Sequence, residues 1–78
     1  MSVTVRLYAG VKERAGVADL EVEGETIAAV RKALAEACPP IADQLEYCRF
    51  AVADDFVEDA AAVADGAVVD VIPPVSGG

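Results

Sequence analysis

The sequence predicts an α+β domain in which one main helix packs across a mixed sheet of about five strands. Three observations carry this expectation. Apolar and polar residues alternate near the start (Val3, Val5, Leu7) and near the end (Val69, Val71), as half-buried strands require. Between them Ile27, Val30, Leu34 and Cys38 recur at helical spacing. The segments also run strand, strand, helix, strand, short strand, strand, so that strands stand at both ends of the domain.

Each element has a local reason. Val3, Val5 and Leu7 alternate with Thr4, Arg6 and Tyr8, the period of a strand with one buried face. Residues 10–16 hold Val11, Lys12, Glu13, Arg14 and Ala15, a helical turn or two closed by Gly16, where a left-handed residue commonly ends a helix. Leu20 and Val22 then alternate with Asp19, Glu21 and Glu23, and a strand so soon after the first is expected to return antiparallel. Gly24 breaks that strand, and the hydroxyl of Thr26 is placed to cap the helix that follows. In the helix the apolar stripe faces one way while Arg31, Lys32 and Glu36 turn elsewhere. Pro39 and Pro40 end it, because proline has no amide to donate and restricts the residue before it.

Residues 41–46 are expected to form a short helical turn, residues 50–53 a third strand, Asp54-Asp55 a turn and Phe56-Val57 a brief fourth strand. The alanine-rich stretch 59–65 is biased in composition, and there are no internal repeats. Asp65-Gly66 signals a turn ahead of the last apolar run, residues 67–72. Asp70 inside that run implies a final strand with one face toward solvent. Pro73 and Pro74 cannot donate to a ladder and stop the pairing. The chain thus divides into a folded domain, residues 1–74, and a C-terminal tail, residues 75–78. A right-handed crossover over the helix would set the terminal strands side by side. This is a β-grasp outline.

Composition narrows the function classes. A chain of 78 residues makes one small domain, burying about 60% of the surface it exposes when unfolded. Two cysteines and no histidine are too few for a disulfide lattice or a metal cage, so the core must work unaided. Fourteen acidic against six basic residues leave a formal charge of −8, which repels phosphate backbones and argues against nucleic acid as a partner. It favours partners with basic grooves, or simply keeps a small protein soluble. The first ten residues lack the apolar run of a signal peptide, and nothing approaches a membrane span. With two unpaired cysteines as well, the cytoplasm is the expected compartment.

Enzymatic machinery is sparse. Without histidine the commonest general base is missing, and Ser2 and Ser76 lie near the ends. Cys38 reads as a small buried hydrophobe on the helix stripe, and Cys48 as an inert thiol with nothing nearby to activate it. Asp54-Asp55 and Glu58-Asp59 read as turns and solvated edges, since paired carboxylates need a shaped pocket to hold different pKa values. Gly10, Gly16 and Gly24 are isolated and make no phosphate cradle. The tail stands apart. Pro73-Pro74-Val75-Ser76-Gly77-Gly78 places a stiff pair of prolines before a thread of two residues without side chains. Such an end could enter a narrow tunnel that a Cβ would obstruct; it could equally be a frayed terminus.

The β-grasp pattern together with a Gly-Gly end resembles the ubiquitin-like sulfur carriers. The stretch Val71-Ile72-Pro73-Pro74-Val75-Ser76-Gly77-Gly78 is similar to the end of the molybdopterin synthase small subunit family, MoaD. Residues 3–16 are similar too, with Leu7-Tyr8-Ala9, then Val11-Lys12-Glu13 and a glycine. Ala53 departs from the pattern, since many relatives carry asparagine there. The resemblance implies that Gly78 is the sulfur-bearing residue and Gly77 its slender neighbour. An E1-like adenylyltransferase would spend ATP to adenylate Gly78, and a sulfurtransferase persulfide would displace AMP to leave a thiocarboxylate. No cofactor would be bound by this chain. The loaded tail would enter the large subunit of molybdopterin synthase, in a heterotetramer, and give sulfur to cyclic pyranopterin monophosphate. Catalytic groups would sit on that large subunit. The alternatives are a carrier for thiamine, cysteine or tRNA thiolation, and a plain ubiquitin-like interaction domain. A phosphopantetheine carrier lacks its serine and helices here, and a β-grasp ferredoxin would need four cysteines.

Strand alternation also predicts a partner-binding face. With Val3, Val5 and Leu7 inward, Tyr8 points to the opposite side, and with Val69 and Val71 inward Ile72 points outward beside the tail. Phe56 has no helix pattern to bury it. These three, with Pro73, Pro74, Val75 and Ser76, are the candidate docking residues; otherwise Tyr8 and Phe56 tuck into the core edge or are scattered singly.

Overall fold

The structure, a computed structural model, describes residues 2–74. Its elements in chain order are β1 (Ser2–Leu7), α1 (Ala9–Ala15), β2 (Asp19–Glu23), α2 (Ile27–Ala37), a 3₁₀ turn (Pro39–Ile41), α3 (Ala42–Leu45), β3 (Arg49–Val52), β4 (Asp55–Val57) and β5 (Val68–Ile72). The five strands form one sheet in the order β2-β1-β5-β3-β4. β1 and β5 run parallel at its centre, Val5 opposite Val69, as the crossover rule requires. β1–β2, β3–β5 and β3–β4 are antiparallel.

The core lies between this sheet and α2. Val3, Val5, Leu7, Phe50, Val69 and Val71 come up from the strands to meet Ile27, Val30 and Leu34, each at most 3% exposed. Fully burying side chains of this size contributes about 1.5–3 kcal/mol apiece, and no polar or charged residue is buried among them. Cys38 and Cys48 are both buried and unpaired. The thiol of Cys48 donates to the Gln44 carbonyl at 3.1 Å, and burial pushes its pKa up, with Arg31 opposing weakly.

Caps behave as the sequence suggests. The Thr26 hydroxyl accepts from the Ala29 amide, and Gly16 closes α1 at φ 79° with its amide donating to Lys12. Gly24 does more than end β2. A Cβ there would lie 2.9 Å from the Val30 amide nitrogen, so glycine lets the strand end approach α2 closely. Several boundaries differ from expectation by a residue: α1 begins at Ala9, β3 spans Arg49–Val52 and β4 begins at Asp55. Pro39 and Pro40 stop α2 and also begin the 3₁₀ turn, a first-turn position where a missing amide costs nothing. β5 starts at Val68 rather than at residue 67. The β3–β4 turn sits one residue early, on Ala53-Asp54, because the register pairs Val52 with Asp55. Both turn residues have positive φ, 52° and 68°, as a tight hairpin demands. The alanine-rich stretch is also structural: Val63 enters the core, and Ala62 bridges to Thr26.

Arg31 ties this side together. Its guanidinium donates to the Leu45 carbonyl and to Asp59 (2.8 Å), and lies 4.4 Å from the Phe50 ring centroid.

Candidate functional site

The sheet face away from α2 carries the other half of each strand. The register places Thr4 beside Val68, Arg6 beside Asp70, Arg49 beside Ile72, and Ala51 between Asp70 and Phe56. Asp70 is the hub. Arg6 Nε donates to its Oδ1 at 2.8 Å, and the Tyr8 hydroxyl donates to the same oxygen at 2.9 Å. The Arg6 bond holds the Asp70 carboxyl below the usual carboxylate range, partial burial opposing and Tyr8 adding. Reciprocally, the Asp70 carboxylate pushes the Tyr8 phenol up. On the other side of Ala51, the Arg49 guanidinium lies 3.8 Å over the Phe56 ring, a cation–π contact in the open.

Tyr8, Phe56 and Ile72 therefore share one face. Tyr8 is 36% and Phe56 53% exposed, and Ile72 is half-buried next to Arg49. Neither aromatic is tucked into the core edge. Exposed Val68 extends the same surface. Pro73 is half-buried and Pro74 exposed, directly after β5. On the helix side of this exit Val11, Gln44, Tyr47, Pro73 and Pro74 line a half-open cleft of about 250 Å³. Val75, Ser76, Gly77 and Gly78 lie outside the described residues.

Sequence reasoning did not find Asp70 as the hub, nor Arg6, Arg49 and Tyr47. Asp70 alone gave a signal, a carboxylate inside an apolar run. Among the described residues no helix is long and apolar enough to cross a membrane, and no group of three or more His, Cys, Asp or Glu side chains is placed to hold a metal ion.

Such a sheet, crossed by one main helix, has the ubiquitin-like β-grasp fold, here that of a sulfur carrier. The profile of the ThiS family matches residues 5–78, and the chain belongs to that family. No curated protein matches it. Among solved structures it is similar to small archaeal modifier protein 1 from Haloferax volcanii, with a TM-score of 0.89 and 24% identity over 100% of both chains. It is also similar to a chain of the complex of subunits 1 and 2 of molybdopterin-converting factor from Helicobacter pylori, with a TM-score of 0.74 and 25% identity over 100% of both chains. A third likeness is to a chain of the BexX/CysO complex from Amycolatopsis orientalis, with a TM-score of 0.82 and 23% identity, covering 97% of this chain and 99% of that one.

Proposed function

We propose that this carrier is loaded at the terminal carboxylate of Gly78 and delivers sulfur to cyclic pyranopterin monophosphate in molybdenum cofactor synthesis. The observation that carries the reading is the run Val71-Ile72-Pro73-Pro74-Val75-Ser76-Gly77-Gly78, in which a strand at the sheet centre leads through two prolines to a bare Gly-Gly end. The likeness to molybdopterin-converting factor, solved as a complex of its two subunits, supports both the pathway and a large-subunit partner.

A carboxylate is a poor electrophile, so loading begins with an E1-like adenylyltransferase that forms the acyl adenylate from ATP and releases pyrophosphate. A sulfurtransferase persulfide then displaces AMP, and a thiol splits the resulting acyl disulfide to free the thiocarboxylate. Glycine at 77 and 78 lets this end pass where a Cβ would clash. The chain itself is the sulfur donor, working in the cytoplasm beside a large subunit that supplies the catalytic groups. Tyr8, Ile72 and Phe56 dock on these partners, with Pro73 and Pro74 setting the tail's exit. A second reading, a carrier for cysteine synthesis, is favoured by the likeness to the CysO chain; it shares the loading chemistry and differs in the acceptor.

Intact mass tests the loading. Incubation with the adenylyltransferase, ATP, a persulfide donor and a thiol reductant should replace one oxygen of the protein by sulfur. Loss of Gly78 should abolish that gain and leave the unfolding midpoint unchanged. Full sulfur transfer by the shortened chain would reject the mechanism, and transfer only to a non-pterin acceptor would select the second reading.

A further inference from the structure

Four residues separate Pro74 from the Gly78 carboxylate. Fully extended they reach at most about 14 Å. An enzyme that holds this carboxylate at its reacting centre therefore brings its surface within that distance of Pro74, and so over the walls of the exit. On the sheet side those walls are Ile72 and its neighbours. On the helix side they are the cleft formed by Pro73 and Pro74 with Val11 of α1, Gln44 of α3 and Tyr47 just beyond it.

That cleft has two features of a seat waiting for an apolar side chain. Its walls are mostly apolar, and it is half-open with room for one side chain. Tyr47 leaves 68% of its surface in water beside it, the most exposed large hydrophobic residue of the domain's described part. The depression behind α1, lined by Lys12, Glu13, Gly16, Val17 and Ala18, shares none of these residues and lacks an aromatic wall.

We propose that the tail-base cleft is a second docking point, which receives one apolar side chain of the enzyme that activates Gly78, with Tyr47 packing over it. The inference rests on the sulfur-carrier reading and deepens it. The partner grips the end of β5 from both sides, the open sheet face at Ile72 and the helix-side cleft at Pro73-Pro74, so that the short tether enters the reacting centre at a set angle. A second copy of this chain is a poor occupant, because two bodies of formal charge −8 repel.

Steady-state adenylation by the E1-like enzyme, followed as carrier-dependent exchange of pyrophosphate into ATP, tests this. Tyr47→Ala and Tyr47→Asp keep the fold, since the ring is exposed, and unfolding curves check that. In Tyr47→Asp the KM for the carrier should rise about tenfold with kcat unchanged, the mark of a lost anchor away from the reacting atoms. Tyr47→Ala should show a smaller rise, and Val17→Ala, another exposed apolar site, none. A KM within about twofold of wild type in both Tyr47 variants, while Phe56→Ala raises it, would overturn the cleft and leave the carrier reading standing. Self-association of the wild type that Tyr47→Asp abolishes would also overturn it, in favour of a second copy. Absence of exchange with the wild-type chain, together with absence of a sulfur mass gain, would overturn both.

Discussion

The two faces of the sheet are made by the same strands and differ in almost everything else. Under α2, Val3, Val5, Leu7, Phe50, Val69 and Val71 are sealed and lie in one contiguous cluster with no buried polar group. One residue along each strand, the other face carries Arg6, Asp70, Arg49 and Phe56, paired with each other and still wet. Burial of apolar area dominates the first face; exposed ion pairs on the second contribute little to stability. The difference teaches where to look for function. The exposed face, held by an Asp70 hub and an Arg49–Phe56 stack, is the one proposed above to meet a partner.

The comparison breaks most visibly in the core. Leu34→Ala removes a fully buried side chain from α2 and leaves a cavity against the sheet. We expect a loss of about 2–5 kcal/mol, a large share of the stability of so small a domain. Urea unfolding measures it, and a loss below about 1 kcal/mol would mean that α2 packs loosely. On the open face the balance reverses. Phe56→Ala and Ile72→Ala should leave stability within about 1 kcal/mol, yet weaken binding to the proposed large-subunit partner by about 1.5–3 kcal/mol, tenfold or more. Calorimetric titration with unfolding curves as control decides it. Unchanged affinity in both variants would move the interface elsewhere.

How much of this was legible in the sequence follows the same division. The covered face was readable because its rules are local: Val3-Val5-Leu7 repeats every second residue, Ile27-Val30-Leu34 every three or four, and Thr26 and Gly16 mark their own helix ends. Alternation also sends Tyr8 and Ile72 outward. What joins them was not legible, since the Tyr8–Asp70 bond spans 62 positions and the Arg6–Asp70 pair 64, distances that only the parallel β1–β5 register collapses. The cleft likewise assembles from α1, the end of α3 and Pro73-Pro74. The hairpin was displaced by one residue because Ala53 takes a positive φ that asparagine or glycine normally advertises, so Asp54-Asp55 read as the turn instead.

A smaller effect sharpens the comparison by asking whether the hub is structural. Asp70→Asn keeps the shape and removes the charge that holds Arg6 and Tyr8. The folded-state pKa of Asp70 is lowered, chiefly by the Arg6 hydrogen bond. A lowered carboxyl pKa means that the folded state binds its proton less readily than the unfolded chain. Its stabilisation is therefore complete above the unfolded value, about pH 4, and disappears as pH falls through the lower folded value. The variant lacks that contribution throughout. Wild type should thus be slightly the more stable near neutrality, by less than either earlier loss, and the gap should close below about pH 4. Urea midpoints for both proteins across that range provide the check. A gap that persists unchanged into strong acid would mean that the carboxylate charge is not what stabilises the hub. Closure of the gap with weakened partner binding at neutral pH would show that the charge orders Tyr8 and Arg6 for docking, a role the covered face has no means to perform.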